Sequence, residues 1–273
     1  MLEVELTFSA DLKIFLHRGL RAENRMRRRL AERTAVKDVI EACGVPHPEV
    51  DLIVGADADS CEGRAVDFGW PVQTHVRVAI FGVPAPANVF PEAPRLQVKQ
   101  WSHFIANGHL GKLARNLRLV GLDTAYERDA DDRRLLEIMA ADNRALLTRD
   151  RRLLMHSIVQ HGYCPRSADA EEQTREVLRR FELTANSVHL APYSRCLRCN
   201  ALLRSVAKAD VLDPLSSEPL TLRYYDKFRR CTGCGGVYWS GTHLEKLDAR
   251  LERLINSGGK SNSFSCPSHR SDF

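Results

Sequence analysis

Leu2, Val4, Leu6 and Phe8 alternate with Glu3, Glu5 and Thr7, a period of two that predicts a half-buried strand. Thr34 then precedes Val36, Val39, Ile40 and Cys43, the spacing of one helix face behind an N-cap, and Gly44 stops the helix. Residues 50–54 read as another strand. Val72, Thr74, Val76, Val78 and Ile80 alternate with Gln73, His75 and Arg77, a last strand ending at Gly82. Strands around one covering helix predict a small α+β domain over residues 1–82.

Pro84, Pro86, Pro91 and Pro94 disfavour helix and sheet, so residues 83–98 read as a stiff linker. From 99 to 190 the pattern changes. The apolar run Phe104-Ile105-Ala106 is followed by Leu110, Leu113, Ala114 and Leu117 at helical spacing. A second helix carries Leu135, Leu136, Ile138 and Met139 and feeds the apolar strand at 145–148. A third follows Asp169, with Thr174, Val177, Leu178 and Phe181 turned inward. Such alternation predicts an α/β domain with a mostly parallel sheet. Residues 191–256 end in a charged helix from Leu244 to Ile255, and the Ser- and Gly-rich stretch 257–273 reads as a disordered tail.

Composition changes this picture little. Of 273 residues, 44% are hydrophobic and 27% charged, which suits a packed core. No stretch approaches the roughly 18 apolar residues of a membrane helix, and the start lacks the pattern of an export signal. The expectation is a cytoplasmic protein with no membrane partner. Lys and Arg number 40 against 35 Asp and Glu, a net charge of +5. That excess is too small to imply a polyanionic partner by itself, so the placement of charge must carry the argument.

In parallel sheets, sites form beyond the carboxyl ends of strands. Asn107 follows the first predicted strand of the α/β domain and Asp150 a later one; Asp129, Asp131 and Asp132 lie between them, just before a helix. Clustered carboxylates repel unless a cation neutralises them. Mg²⁺ or Mn²⁺ suits oxygen ligands, and hydrated divalent ions promote phosphodiester cleavage. An aspartate at a helix start also serves as a plain cap. Of Asp131 and Asp132, one reads as cap and one as ligand, while Asp150 has the alternative of a surface ion pair. Lys112, Arg115 and Arg118 recur every three residues on the helix after Asn107, and Arg149, Arg151 and Arg152 flank Asp150. They read as a phosphate-holding face, or else as a solvated one.

Cys196-x-x-Cys199 and Cys231-x-x-Cys234 stand 31 residues apart. Two such turns can each give two thiolates to one tetrahedral Zn²⁺, which would then be structural. Tyr224, Tyr225, Phe228, Tyr238 and Trp239 crowd the second pair and read as lobe core, with Tyr238 or Trp239 also placed to stack a base.

Two resemblances add to this reading. The stretch from Gly44 to Phe81 resembles the ubiquitin-like β-grasp domains related to sulfur carriers, although the chain runs on through Gly82-Val83-Pro84 and has no carrier tail. Its arginines Arg25, Arg27, Arg28, Arg29 and Arg33 read as a solvated strand edge or as phosphate contacts. The motifs Gly108 to Arg115, Asp129 to Asp132 and Leu146 to Asp150 resemble the Mut-seven C-terminal PIN-like ribonuclease family, with its ubiquitin-like segment in front and a zinc ribbon behind. The resemblance implies metal-dependent RNA cleavage by a cluster of aspartates. The expectation is a divalent-metal-dependent ribonuclease, endonucleolytic and possible as a toxin, with RNA as substrate and an antitoxin or other protein partner on the β-grasp domain. The alternative is a catalytically silent RNA-binding or adaptor protein.

The family pattern has Asp where this chain has Asn107. The chain is then a deliberately inactivated variant, a naturally weakened or non-catalytic protein, or one whose Asn107-Gly108 step deamidates back to Asp.

Overall fold

A computed structural model describes residues 2–22, 25–57, 62–72, 75–183 and 189–255. The tail 257–273, with Cys266, and residue Cys61 lie outside the described residues.

The first eighty residues supply β1 (Leu2–Phe8), β2 (Met26–Leu30), β3 (Thr34–Ala35), α1 (Val36–Glu41), β4 (Val50–Asp57), β5 (Arg64–Val66), β6 (Pro71–Val72) and β7 (Val76–Gly82). The main sheet has the order β2-β1-β7-β4-β5. Within it β1 and β7 run parallel; every other pair is antiparallel. This is the β-grasp arrangement expected. Val4, Leu6, Val36, Ile40, Val78 and Ile80 are buried together with the helix stripe, as the alternation requires. The helix cap differs from expectation: Ala35 holds the N-cap position and the Thr34 hydroxyl turns back to the Glu32 carbonyl. Of the arginine run, Arg27, Arg28 and Arg29 lie on β2 with Arg25 just before it and Arg33 beyond it; Arg25 and Arg27 pair with Glu5 and Arg27 also with Glu3. Opposite charges facing across an antiparallel pair support the edge strand and spend two of these cations.

The remaining chain supplies β8 (His103–Ala106), α2 (Gly111–Leu119), β9 (Asp123–Tyr126), α3 (Asp132–Ala141), β10 (Ala145–Leu147), α4 (Arg151–Leu154), β11 (Gly162–Tyr163) and α5 (Ala170–Arg180). Then follow β12 (Leu203–Val206), α6 (Pro219–Tyr224), β13 (Phe228–Cys231), β14 (Val237–Trp239) and α7 (Thr242–Ile255). The PIN-like part is built of short parallel strand pairs, β8 with β9 and β10 with β11, alternating with helices. The cysteine lobe is an antiparallel sheet, β12-β13-β14. Val211, Leu215 and Phe228 form its small core, with Tyr225 and Trp239 packed on it. Tyr224 is instead mostly exposed.

The chain divides into two compact units, residues 1–101 with 130–165, and residues 102–129 with 166–273. The first therefore joins the β-grasp sheet to the segment carrying Asp131, Asp132 and Asp150. Buried Glu49 accepts a hydrogen bond from the Cys164 amide at 2.7 Å, and His47 bonds both Glu41 and the Val159 carbonyl. The linker chain runs along the β-grasp sheet. Gln97 donates to the carbonyls of His47 and Val50, and the Leu96 amide donates to Asp51. In the second unit α2 packs on α5, and Phe104 meets Phe181 edge to face at 5.0 Å.

Candidate functional site

In the first unit, two of the predicted aspartates are helix caps. Asp131 Oδ1 accepts the Arg134 amide at 2.8 Å and starts α3. Asp150 Oδ1 accepts the amides of Arg152 and Leu153 and starts α4. The buried Thr148 hydroxyl holds Asp150 from behind by accepting its amide at 3.0 Å. The run Leu-Leu-Thr-Arg-Asp thus has a physical reading: two buried strand residues, a hydroxyl that bends the chain, and a carboxylate presented at a helix N-terminus. Capping uses one oxygen of each carboxylate. Oδ2 of Asp131 and of Asp150 takes no hydrogen bond among the described residues, and Asp132 is exposed on the first turn of α3. The donor chemistry suits a hard cation. Yet Asp131, Asp132 and Asp150 do not form a metal-ligating group in this unit; among the described residues the four cysteines form the group found.

In the second unit Asn107 follows β8 in an extended conformation, φ −62° and ψ 154°, and caps a short 3₁₀ turn into α2. The two glycines of the following motif are required by close approach rather than by dihedral angle. A Cβ on Gly108 would meet the Arg128 carbonyl oxygen at 2.2 Å, and one on Gly111 the Tyr126 hydroxyl at 2.6 Å. Tyr126 donates that hydroxyl to the Gly108 carbonyl at 2.7 Å. The turn carrying Asn107 is therefore pressed against the end of β9. Ala106 pairs with Tyr126, so the next residues along the two strands are Asn107 and Glu127. Glu127 was not foreseen, because the short strand β9 gives no alternation to find it by. Asp129 follows, exposed, in the same unit.

The predicted basic face needs two corrections. Lys112 and Arg115 are exposed on α2, but Arg118 is only 4% exposed. A step of three residues turns a helix by about 300°, so each repeat rolls back about 60° and the third cation reaches the buried side. Its Nε donates to the Thr124 carbonyl at 2.9 Å, and its Nη1 to the carbonyls of Leu197 and Arg198 at 3.2 and 2.9 Å. Arg151 is the other. Its guanidinium donates to the carbonyls of Phe15 and Ile14 in the β-grasp part. Arg149 and Arg152 remain exposed and, among the described residues, make no ion pair.

The four cysteines meet as expected. Their sulfurs all lie within 4.8 Å of one another, with Cys196–Cys234 at 3.7 Å and Cys199–Cys231 at 3.3 Å. Zn–S bonds of about 2.3 Å imply S–S edges near 3.8 Å in a tetrahedron, so the set fits one zinc ion. Amides of Gly233 and Cys234 point at the Cys231 sulfur, each at 3.4 Å. The Tyr238 hydroxyl donates to Cys196 at 3.0 Å. Burial pushes the Cys196 thiol up, but that hydrogen bond and the amides of Cys199 and Arg198 outweigh it and hold it at about 6. Burial and the same sulfur keep the Tyr238 hydroxyl protonated.

The first knuckle is also sewn to the α2–β9 turn. Besides Arg118, Arg195 pairs with Asp123 at 3.2 Å and donates to the Gly121 carbonyl. Asn200 donates to Asp123 and accepts the Thr124 amide. Asp123 is thus the anchor of β9. Among the described residues no helix is long and apolar enough to cross a membrane.

Two family models match the chain. The Mut7-C RNAse domain matches residues 102–251, a span that includes the four-cysteine lobe. The Mut7-C ubiquitin domain matches residues 1–86. No curated protein and no solved structure matches.

Proposed function

The chain belongs to the Mut7-C RNAse domain family, and from that membership we propose that it is a divalent-metal-dependent ribonuclease acting within RNA chains. The observation that carries the reading is the capping geometry of Asp131 and Asp150, which fixes each carboxylate by one oxygen and leaves the other open. In this reading Asp131 or Asp132 and Asp150 are the candidate ligands of the first unit, carboxylates that only a bound ion would draw into one group, and Asn107 and Asp129 are the candidates of the second. A bound Mg²⁺ or Mn²⁺ supplies Lewis acidity and a more acidic water. The protein's own part is to hold the carboxylates rigid on helix N-termini and the phosphates on exposed cations. Lys112, Arg115, Arg149 and Arg152 take the second task.

The four cysteines hold a structural zinc in this account, because four thiolates close the coordination shell. A toxin role, with the β-grasp part receiving an antitoxin, goes with the enzyme reading. The competing reading, a silent RNA-binding or adaptor protein, is favoured by the uncharged amide of Asn107. RNA cleavage by matched Asn107 and Asn107→Asp proteins, with and without Mn²⁺, separates the two.

A further inference from the structure

In the second unit a cleft of about 310 Å³ opens between α2, the first cysteine knuckle, β14 and α7. None of its lining residues is acidic, and three are arginines: Arg115, Arg198 and Arg250. Arg250 faces Glu171 at 3.4 Å, an ion pair in which its Nε makes no hydrogen bond. The exposed side chains of Arg115 and Arg198 have no ion pair among the described residues. Leu119, Leu197 and Leu247 give the cleft apolar wall, and Tyr238 adds an aromatic ring whose hydroxyl is tied to Cys196.

Two unspent guanidiniums beside an aromatic ring and apolar side chains match the chemistry of a nucleotide, with phosphate on the cations and base on the ring. The volume is that of a small-ligand site. It suits one or two unpaired nucleotides; a duplex is instead recognised across a broad surface. Fully buried Asn116 adds a polar mark. Its amide nitrogen donates to Ala170 and Thr174, but its Oδ1 has no donor among the described residues. That oxygen is itself buried, so Asn116 lines the cleft without offering a ligand an acceptor.

We infer that this cleft is a subsite for single-stranded RNA, in which the cysteine lobe grips the strand through Arg198 and Tyr238 while α2 contributes Arg115. The inference rests on the ribonuclease reading for its ligand class but not on cleavage. Its consequence is that the lobe is part of the RNA-binding surface, and zinc acts on affinity by fixing the ring of Tyr238.

The test is binding of a fluorescent single-stranded RNA of twelve nucleotides to full-length zinc-loaded protein, by anisotropy, without added Mg²⁺ or Mn²⁺. Arg198→Glu lies on the surface and keeps its backbone carbonyl for Arg118; the Arg198→Glu protein should bind about ten-fold more weakly and show a shallower salt dependence. Tyr238→Phe keeps the ring but frees it from Cys196, so at equal zinc content it should bind a few-fold more weakly than the parent; equal affinity would overturn the part given to zinc in fixing the ring. Equal affinity and salt slope in the parent and Arg198→Glu proteins would overturn the subsite, whatever the cleavage assays show. Equal displacement of the RNA by polyglutamate of matched charge would also overturn it, since a plain polyanion site needs no base. Weakened binding in Arg198→Glu, in a protein that never cleaves RNA, would retain the subsite and reject the nuclease.

Discussion

Arg151 reaches from the residue after Asp150 to Phe15, donating to its carbonyl at 2.8 Å and lying over its ring at 5.3 Å from the centroid. A second bond, to the Ile14 carbonyl at 3.0 Å, makes the grip bidentate. The helix that Asp150 caps is thereby fastened to the β-grasp part, within one compact unit. This gives the ubiquitin-like region a mechanical task beside any role in partner binding: it holds the start of α4 in place.

Replacing Arg151 by Ala should therefore cost about 1–3 kcal/mol of stability, the range for charge-assisted hydrogen bonds, discounted because the side chain is partly exposed. Arg151→Lys should recover only part of this, since an ammonium lacks the planar fork. Chemical denaturation of the three proteins measures it. A loss no larger than that of Arg152→Ala, an exposed neighbour without such bonds, would show that the latch carries no weight.

Arg118 predicts a link between α2 and zinc. Burial lowers its pKa, while the thiolates of Cys196 and Cys199 push it back up, so the cation and the sulfurs stabilise one another. Arg118→Met should weaken zinc retention about 10- to 100-fold, as expected for a group supporting a ligand from outside the coordination shell. Competition with a chromophoric chelator reads this directly. Unchanged retention would mean the guanidinium supports only the carbonyls of the knuckle.

The close approach at Asn107 gives a third. Gly108→Ala forces a Cβ onto the Arg128 backbone. A clash with backbone cannot be relieved by a rotamer change, so the cost should be about 1–3 kcal/mol. Tyr126→Phe should cost about 1 kcal/mol by removing the hydroxyl that Gly108 accepts. Thermal melts of both variants test the order, and a Gly108→Ala protein as stable as the parent would contradict the geometry.

Acid should loosen α7. The hydrogen bond from Arg253 holds the Glu171 carboxyl below its ordinary value, with Arg250 and Arg175 adding to the effect. A depressed folded pKa contributes stability above the unfolded value of about 4.3. That contribution is lost as pH falls through the lower folded value. Parent and Arg253→Ala proteins should differ in melting temperature at neutral pH, and the difference should shrink as pH falls below about 4.3. A constant difference across that range would remove Glu171 from the explanation.

Some of this was legible in the chain and some was not, for reasons visible in particular residues. Leu135 and Met139, or Val4 and Leu6, announce their elements because burial on one face repeats at the local period. The cysteine pairs announce their site because ligand spacing within each knuckle is local chemistry. Asp131 shows its cap for the same reason. Arg118 and Arg151 could not be read this way. Arg118 recurs with two exposed cations until the helix turns it inward, and Arg151 finds its acceptor 136 residues away. Strand β9 escaped notice because Asp123, Thr124, Ala125 and Tyr126 lack alternation, and their anchor, Asn200, lies 76 residues further on. Sequence position also hid the sharing of residues 130–165 with the β-grasp part.

The central claim is that Asp150 serves a metal-dependent cut in RNA. Its most direct measurement is the rate of cleavage of a structured RNA by the Asn107→Asp protein with added Mn²⁺, beside the same protein carrying Asp150→Ala. The account predicts cleavage that requires Mn²⁺, exceeds that of the Asn107 chain, and falls at least 100-fold on loss of the Asp150 carboxylate, about 2.7 kcal/mol of barrier. Cleavage of equal rate with Asp150 removed, or without Mn²⁺, would contradict it.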